Sequence, residues 1–120
     1  ADDIRATFAE AGHADDITLH IGDALEVVPR LLAANTYDMA FVDANKRHYC
    51  EYFALLSQAM PGGSYILADN TLWGDKVLDD TAHDAQTEGI RKFNDMVAAD
   101  GSVSKIILPV RDGLTIIRKN

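Results

Sequence analysis

Two apolar stretches of the chain each end on side chains that could hold a metal ion. Asp43 directly follows the run 39–42, and Asp69 and Asn70 directly follow a second run, 65–68. Near-continuous apolar runs favour strands buried on both faces, as in parallel sheets, whose ligands bind beyond the carboxyl ends of the strands. If the two strands are neighbours, about 5 Å apart, their oxygen donors converge. All-oxygen ligation favours a hard cation, so the sequence predicts a site for magnesium, calcium or manganese at Asp43, Asp69 and Asn70.

A lysine stands where it could take a proton at the same site. Lys46 comes three residues after Asp43, in the predicted first turn of the next helix, and is expected to face the same crevice. An amine beside a bound cation is driven towards its neutral form, because a like charge disfavours protonation, and a neutral amine can act as a general base. The alternative is that the strand-end side chains only serve turns or helix caps. Two such stretches at matching strand ends, with a lysine beside one, favour the metal site.

A long loop follows Asn70 and carries Trp73. Loops of this length inside a compact domain are commonly functional or mobile. Trp73 could form one wall of a site for a flat aromatic substrate, and the alternative is that its ring simply packs in the core.

The composition indicates a single domain, 1–120, that acts on a small molecule or binds a protein. The chain has 120 residues, 48% of them hydrophobic, enough for a substantial core. Its formal charge of −8 argues against nucleic acids and anionic membranes as partners. The single Cys50 cannot form an internal disulfide, and no stretch resembles a signal peptide or a membrane span. The cytoplasm is therefore the predicted compartment.

Apolar spacing and turn residues divide the chain into alternating helices and strands. Residues 17–21 alternate between apolar and polar and predict a strand, after which Asp23 and Glu26 indicate a capping box. Pro29 is expected to limit the helix that they open to two short turns. The predicted order is a helix over 2–11, a strand over 17–21, the short helix, a strand over 38–43, a helix over 47–60, a strand over 65–70, the long loop, a helix through Ile90, Phe93 and Val97, and a hairpin with strands over 105–110 and 114–118. This order predicts an α/β doubly wound fold whose last strand runs antiparallel.

Three motifs in this arrangement resemble those of a known family. They are the segments 37–46 (YDMAFVDANK), 68–73 (ADNTLW) and 108–116 (LPVRDGLTI). Together they resemble the cation-dependent O-methyltransferases of the caffeoyl-CoA and catechol type, which use S-adenosylmethionine, and the resemblance runs from about Phe8 to the end of the chain. It implies a Rossmann-like methyltransferase fold with a mostly parallel sheet, of which this chain is the carboxy-terminal portion.

The resemblance also implies a role for individual residues. Asp43, Asp69 and Asn70 match the metal ligands, and Asp43 also matches a residue near the amino group of S-adenosylmethionine. Lys46 matches the catalytic base, and Ala24 matches the position whose backbone meets the adenine. The implied reaction is methyl transfer to one hydroxyl of a vicinal diphenol, with Asp43 and Lys46 as the catalytic pair.

Some features of the family have no counterpart in the chain. Its two earlier strands, its glycine-rich loop around the cofactor and its acidic residue for the ribose are absent from the 120 residues. In the family's sheet the two earlier strands lie between the strand at 17–21 and the strand at 38–43. The chain by itself is therefore expected to hold the metal but not S-adenosylmethionine.

Two positions bear on the substrate. Asn45 stands where the family often has a second aspartate, and Gly74 replaces a side chain that contacts substrate in the plant enzymes. These differences favour a bacterial-type member that acts on a small catechol or a flavonoid-like phenol. Members of the family are commonly dimers, so the resemblance implies a homodimer.

Two other functions fit part of the pattern. One is a non-catalytic binding or scaffold fragment of the same fold that cannot bind the cofactor alone. The other is a receiver-like phosphoacceptor domain, which also uses strand-end aspartates, a lysine and magnesium. That domain requires a pair of acids after its first strand, and the segment 17–23 offers no such pair.

Overall fold

A four-stranded mixed sheet forms the centre of the molecule. The structure, a computed structural model, describes residues 1–120. The strands are β1 (Met39–Val42), β2 (Tyr65–Asp69), β3 (Val103–Leu108) and β4 (Leu114–Lys119), in the spatial order β1-β2-β4-β3. β1 and β2 are parallel, and β4 is antiparallel to both of its neighbours, β2 and β3. Three strands therefore share one direction and the last one is reversed, which confirms the predicted antiparallel last strand.

Four α-helices accompany the sheet: α1 (Asp2–Glu10), α2 (Ala24–Ala34), α3 (Tyr49–Ala59) and α4 (Ala85–Ala99). Two 3-10 turns, Lys46–His48 and Lys76–Leu78, precede α3 and α4. The core lies where α3 and α4 pack on each other and on the sheet. In it the ring of Phe93 meets those of Tyr49 and Phe53 edge-on, at centroid distances of 5.4 and 6.0 Å. Aromatic pairs of this kind contribute about 0.5–1.5 kcal/mol beyond the burial of their area.

The strand predicted at residues 17–21 is not formed. The segment has no regular secondary structure and belongs to no sheet, and Ile17 and Ile21 remain 42% and 66% exposed. Alternating apolar residues favour a strand only when a neighbouring strand can accept its ladder hydrogen bonds. The sheet consists of β1 to β4, and none of these strands pairs with the segment, so the pattern has no pairing partner.

The helix after Asp23 is longer than predicted. α2 extends for 11 residues and passes through Pro29. A proline removes its own N–H from the helical ladder and crowds the carbonyl four residues before it, but here the ladder resumes beyond it, since Asn35 N donates to Leu31 O at 2.9 Å. The side chain of Asp23 does cap the helix, but it accepts from Leu25 N, and Glu26 N donates to the backbone oxygen of Asp23. The predicted capping box is therefore replaced by a tighter first turn.

The other elements agree with the sequence pattern to within a few residues. The helix predicted over 47–60 starts as the 3-10 turn at Lys46, and the hairpin strand predicted at 105–110 occupies 103–108. Arg111 and Gly113, at φ angles of 50° and 86°, make the turn between β3 and β4. No helix combines the length and the apolar character needed to cross a bilayer.

Exposed carboxylates near the helix termini make the fold sensitive to acid. Hydrogen bonds from neighbouring side chains lower the pKa of four of them: Asp79 through Thr81, Asp84 through Thr87, Glu88 through Arg91 and Asp100 through Ser102. A carboxyl group with a lowered pKa in the folded state stabilises the fold above its unfolded pKa, near pH 4, and that stability is lost as pH falls through the lowered pKa.

We expect Asp84→Ala to lower the thermal unfolding midpoint at neutral pH, because Asp84 caps α4 by accepting from Thr87 N and Thr87 Oγ1. The difference from the wild-type protein should shrink as the pH falls from about 7 towards about 2, because Asp84 progressively loses its charge in this direction and alanine carries none. Thermal unfolding followed by circular dichroism across this range checks the prediction. Asp95→Ala, which removes an exposed carboxylate of the same helix, is the control, and an equal effect of the two substitutions would contradict it.

Candidate active site

The parallel register brings the predicted metal ligands to one edge of the sheet. Val42 of β1 is paired with Ala68 of β2, so Asp43 and Asp69 are the next positions along the two strands. Neighbouring strands lie about 5 Å apart, which places the two carboxylates side by side at the carboxyl ends of the strands. Asn70 follows directly, and its left-handed φ of 63° turns the chain at this point.

Each of these three side chains has one oxygen that no protein group occupies. Asp43 Oδ1 accepts from Lys46 Nζ at 2.8 Å, and Asp69 Oδ1 accepts from Asn70 N at 2.8 Å. Asn70 Nδ2 donates to Asp112 at 3.2 Å, which leaves the carboxamide oxygen without a protein partner. Two carboxylate oxygens and one carboxamide oxygen are donors that suit magnesium, calcium or manganese. No three His, Cys, Asp or Glu side chains are grouped so as to hold a metal by themselves, so the carboxamide would be an essential third donor.

Lys46 is buried at this edge of the sheet. The side chain of Asn45 accepts from Arg47 N at 3.1 Å and starts the 3-10 turn that carries the lysine. Lys46 is only 7% exposed, and its Nζ donates to Asp43 and, at 2.9 Å, to the hydroxyl of Tyr49. The indole of Trp73 lies 5.8 Å from Nζ. The structure therefore brings Asp43, Lys46 and Trp73 together, and the ring of Trp73 also packs, partly buried, against the core.

Tyr49 links the lysine to both strand ends. Its ring is 1% exposed, and its hydroxyl lies 2.8 Å from Asp69 O and 3.2 Å from Val42 O, to which it can donate its proton. The hydroxyl also accepts from Lys46 Nζ. In the sequence Tyr49 belongs to the helix predicted over 47–60, and no role at the site is predicted for it. Its position three residues after Lys46, on the same helical face, is the signal that could have indicated this contact.

Burial and hydrogen bonding act in opposite directions on Lys46. Burial disfavours the charged amine, but the hydrogen bonds to Asp43 and Tyr49 outweigh it and raise the pKa of Lys46 above its ordinary value. Burial raises the pKa of Tyr49, and the neighbouring ammonium opposes this. The protein groups alone thus keep Lys46 as an ammonium and Tyr49 as a neutral phenol. The neutral amine predicted for a cation-bound site stays a prediction.

We expect Tyr49→Phe to destabilise the fold by about 1–3 kcal/mol, because the ammonium of Lys46 and two strand-end carbonyls lose a buried partner. Equilibrium unfolding in urea measures this. Tyr65→Phe removes a hydroxyl from a tyrosine that is 43% exposed, and it should leave stability within about 0.5 kcal/mol of the wild-type value. Equal stability of the two variants would show that the Tyr49 hydroxyl does not hold the strand ends.

The two residues predicted to contact the cofactor line the same cavity beside β1. Ala24, at the start of α2, and Asp43 both line an apolar cavity of about 260 Å³. The other lining residues lie on α2, on β1 and just beyond its end, and on α3: Val28, Ala40, Phe41, Val42, Ala44, Tyr52 and Leu56. The cavity thus opens next to the carboxylate that also belongs to the predicted metal site.

Comparison with known proteins identifies the family. A family model described as O-methyltransferase matches residues 3–120. The chain belongs to this O-methyltransferase family. It is 35% identical over 100 residues to the catechol O-methyltransferase of Niastella koreensis, covering 82% of this chain and 45% of that protein. It is 36% identical over 116 residues to a probable caffeoyl-CoA O-methyltransferase of Dictyostelium discoideum, covering 93% of this chain and 50% of that one.

The fold of this O-methyltransferase family member also matches a solved structure with bound cofactor. The O-methyltransferase TomG from Streptomyces achromogenes, solved in complex with S-adenosylmethionine, superposes with a TM-score of 0.87 and 31% identity over 97% of this chain and 55% of TomG. The predicted resemblance and the Rossmann-like methyltransferase fold are therefore confirmed. The chain spans about half the length of the curated relatives that it matches.

Proposed function

We propose that this chain carries the metal-binding and proton-transfer part of an S-adenosylmethionine-dependent O-methyltransferase that methylates one hydroxyl of a small catechol. The observation that carries the proposal is the buried Lys46, whose Nζ lies 2.8 Å from Asp43 at the strand edge shared with Asp69 and Asn70. Membership of the O-methyltransferase family supports it.

Asp43, Asp69 and Asn70 would hold the divalent cation through the oxygens that have no protein partner. Magnesium is the first candidate, with calcium and manganese as alternatives. Such a cation supplies Lewis acidity, which lowers the pKa of a hydroxyl bound to it. The side chains themselves place two negative charges and one neutral donor around this point, which fits a hard divalent ion.

Lys46 would accept the hydroxyl proton at Nζ. For this it must first be neutral, and its environment then favours the ammonium that forms, because Asp43 and Tyr49 both accept hydrogen bonds from Nζ. These contacts make the amine a stronger base than a solvated lysine. The proton thus passes from the hydroxyl to a nitrogen that is held in place before the substrate arrives.

The apolar cavity at Ala24 and Asp43 is the proposed contact region for S-adenosylmethionine, which supplies the methyl group. Ala24 would meet the adenine and Asp43 the amino group. Trp73, whose ring lies 5.8 Å from Lys46 Nζ, would flank the aromatic ring of the substrate. A catechol is the proposed substrate class, because a relative with that printed activity covers 82% of the chain.

Methyl transfer from labelled S-adenosylmethionine to catechol by the full-length protein, measured with Mg²⁺ and with a chelator, tests the proposal. We expect turnover that is lost on chelation and restored by Mg²⁺, and activity that is indifferent to chelation would contradict it. Titration with labelled S-adenosylmethionine tests the alternative, a scaffold fragment of the same fold, since tight binding to the 120-residue chain would exclude that alternative.

We also propose a homodimer in the cytoplasm, with no nucleic acid or membrane partner. The free thiol of Cys50 and the net charge of −8 suit this setting. Light scattering after size exclusion would test the dimer, and a mass of one chain would contradict it.

A further inference from the structure

The turn between β3 and β4 contacts the predicted metal site through one carboxylate. Asp112 Oδ2 accepts from Asn70 Nδ2 at 3.2 Å, across 42 residues of sequence. Its other oxygen accepts from Gly74 N, and its backbone oxygen accepts from Leu72 N at 2.8 Å. The sequence places Asp112 in the predicted hairpin turn and in the third family motif, 108–116, and no contact with the site is predicted for it. It in fact holds both the carboxamide and the first residues of the loop that carries Trp73.

We propose that Asp112 is a positioning residue that determines which end of the Asn70 carboxamide faces the cation. An ionised carboxylate can only accept hydrogen bonds, whereas a carboxamide has a donating nitrogen and an accepting oxygen. Asp112 therefore binds the nitrogen end of Asn70 and directs the oxygen away from itself. A carboxamide turned the other way would present its NH₂ group to the cation, and that group has no lone pair free for a hard cation. This inference rests on the proposed metal site.

The substitution Asp112→Asn tests the orientation with almost no change in shape. The new carboxamide can still accept from Gly74 N through its oxygen, so the loop keeps its contact. The nitrogen of the new carboxamide then faces the nitrogen of Asn70. Because two donors cannot bond to each other, Asn70 must turn its oxygen towards residue 112. We expect the affinity for Mn²⁺, measured by electron paramagnetic resonance of the free ion, to fall about 10- to 100-fold, as is usual when a residue that orients a metal ligand is changed.

The double substitution Asn70→Asp with Asp112→Asn should restore binding. A carboxylate at position 70 accepts from the new carboxamide with one oxygen and leaves its other oxygen for the cation. We expect its Mn²⁺ affinity to return to within a few fold of the wild-type value or to exceed it, because the ligand gains a charge. If Asp112 only anchored the loop, Asp112→Asn would not lower the Mn²⁺ affinity and the double substitution would not restore it. Asp80→Asn, an exposed loop residue of equal charge, is the control and should leave the affinity unchanged.

The outcomes of the Mn²⁺ titration test the proposed metal site and the role of Asp112 separately. Wild-type protein that binds no Mn²⁺ would overturn the proposed metal site and this inference with it. Wild-type binding combined with unchanged affinity in Asp112→Asn would overturn this inference alone. The side-chain amide signals of Asn70 in ¹⁵N–¹H spectra give a second measurement without metal. We expect them to shift in Asp112→Asn and not in Asp80→Asn, and unchanged signals would likewise overturn the inference.

Discussion

Lys46→Met is expected to lower kcat for methyl transfer by about 10²- to 10⁴-fold, the usual contribution of a positioned acid or base. Methionine is close to lysine in length and fills the same buried space, but it has no nitrogen to accept a proton. Asp43, whose side chain is 54% exposed, can be hydrated when the ammonium is removed. The fold should therefore survive the substitution while proton transfer is lost. Initial rates with catechol and Mg²⁺ measure the effect.

The Lys46→Met variant also distinguishes a catalytic base from a residue that only positions the metal ligands. Because the substitution removes a positive charge 2.8 Å from Asp43, the affinity for Mn²⁺ should stay equal or rise. KM for S-adenosylmethionine should change little, since Lys46 is not among the residues that line the cavity at Ala24. Lys92→Met, at an exposed position of α4, is the control. Unchanged kcat in Lys46→Met would exclude Lys46 as the base.

The site residues adjacent in sequence to a strand end could be predicted from the sequence. Asp43 directly follows β1, Asp69 is the last residue of β2 and Asn70 follows it, and parallel pairing of the two strands places these residues together. Lys46 follows from the same logic, because the first turn after a strand stays near its carboxyl end. Both inferences need only local patterns and one assumption about strand order.

Contacts made across long sequence distances could not be predicted in this way. The bond from Asn70 to Asp112 depends on β4 lying next to β2 and on the left-handed turn at Arg111. Local patterns do not specify either of these. The strand predicted at 17–21 failed for a related reason, because alternation describes a segment and not the neighbour that it needs.

Gly89, a glycine inside α4, is the position of the second large predicted effect. The absence of a side chain there permits the helix to approach the 3-10 turn that contains Lys46. A Cβ atom at Gly89 would lie 2.5 Å from Lys46 O and 2.8 Å from Arg47 Cα. Both are backbone atoms, which cannot rotate away as a side chain would. Glycine inside a helix is normally less favourable than alanine by about 0.5–1 kcal/mol, so its presence here is explained by this close packing.

Gly89→Ala is therefore expected to destabilise the protein by roughly 1–3 kcal/mol, the usual effect of overpacking, although helix propensity alone predicts the opposite sign. Urea unfolding measures it. Gly101→Ala is the matched control, because a Cβ there meets nothing within 4 Å, and its stability should stay within about 0.5 kcal/mol of the wild-type value.

The relief of the clash must move α4 away from the 3-10 turn or move that turn towards the strands. Because a displacement of about 1 Å can lower a rate about 10²-fold, kcat should fall in Gly89→Ala even where the variant remains folded. A variant more stable than the wild-type protein would show that α4 does not constrain the position of Lys46.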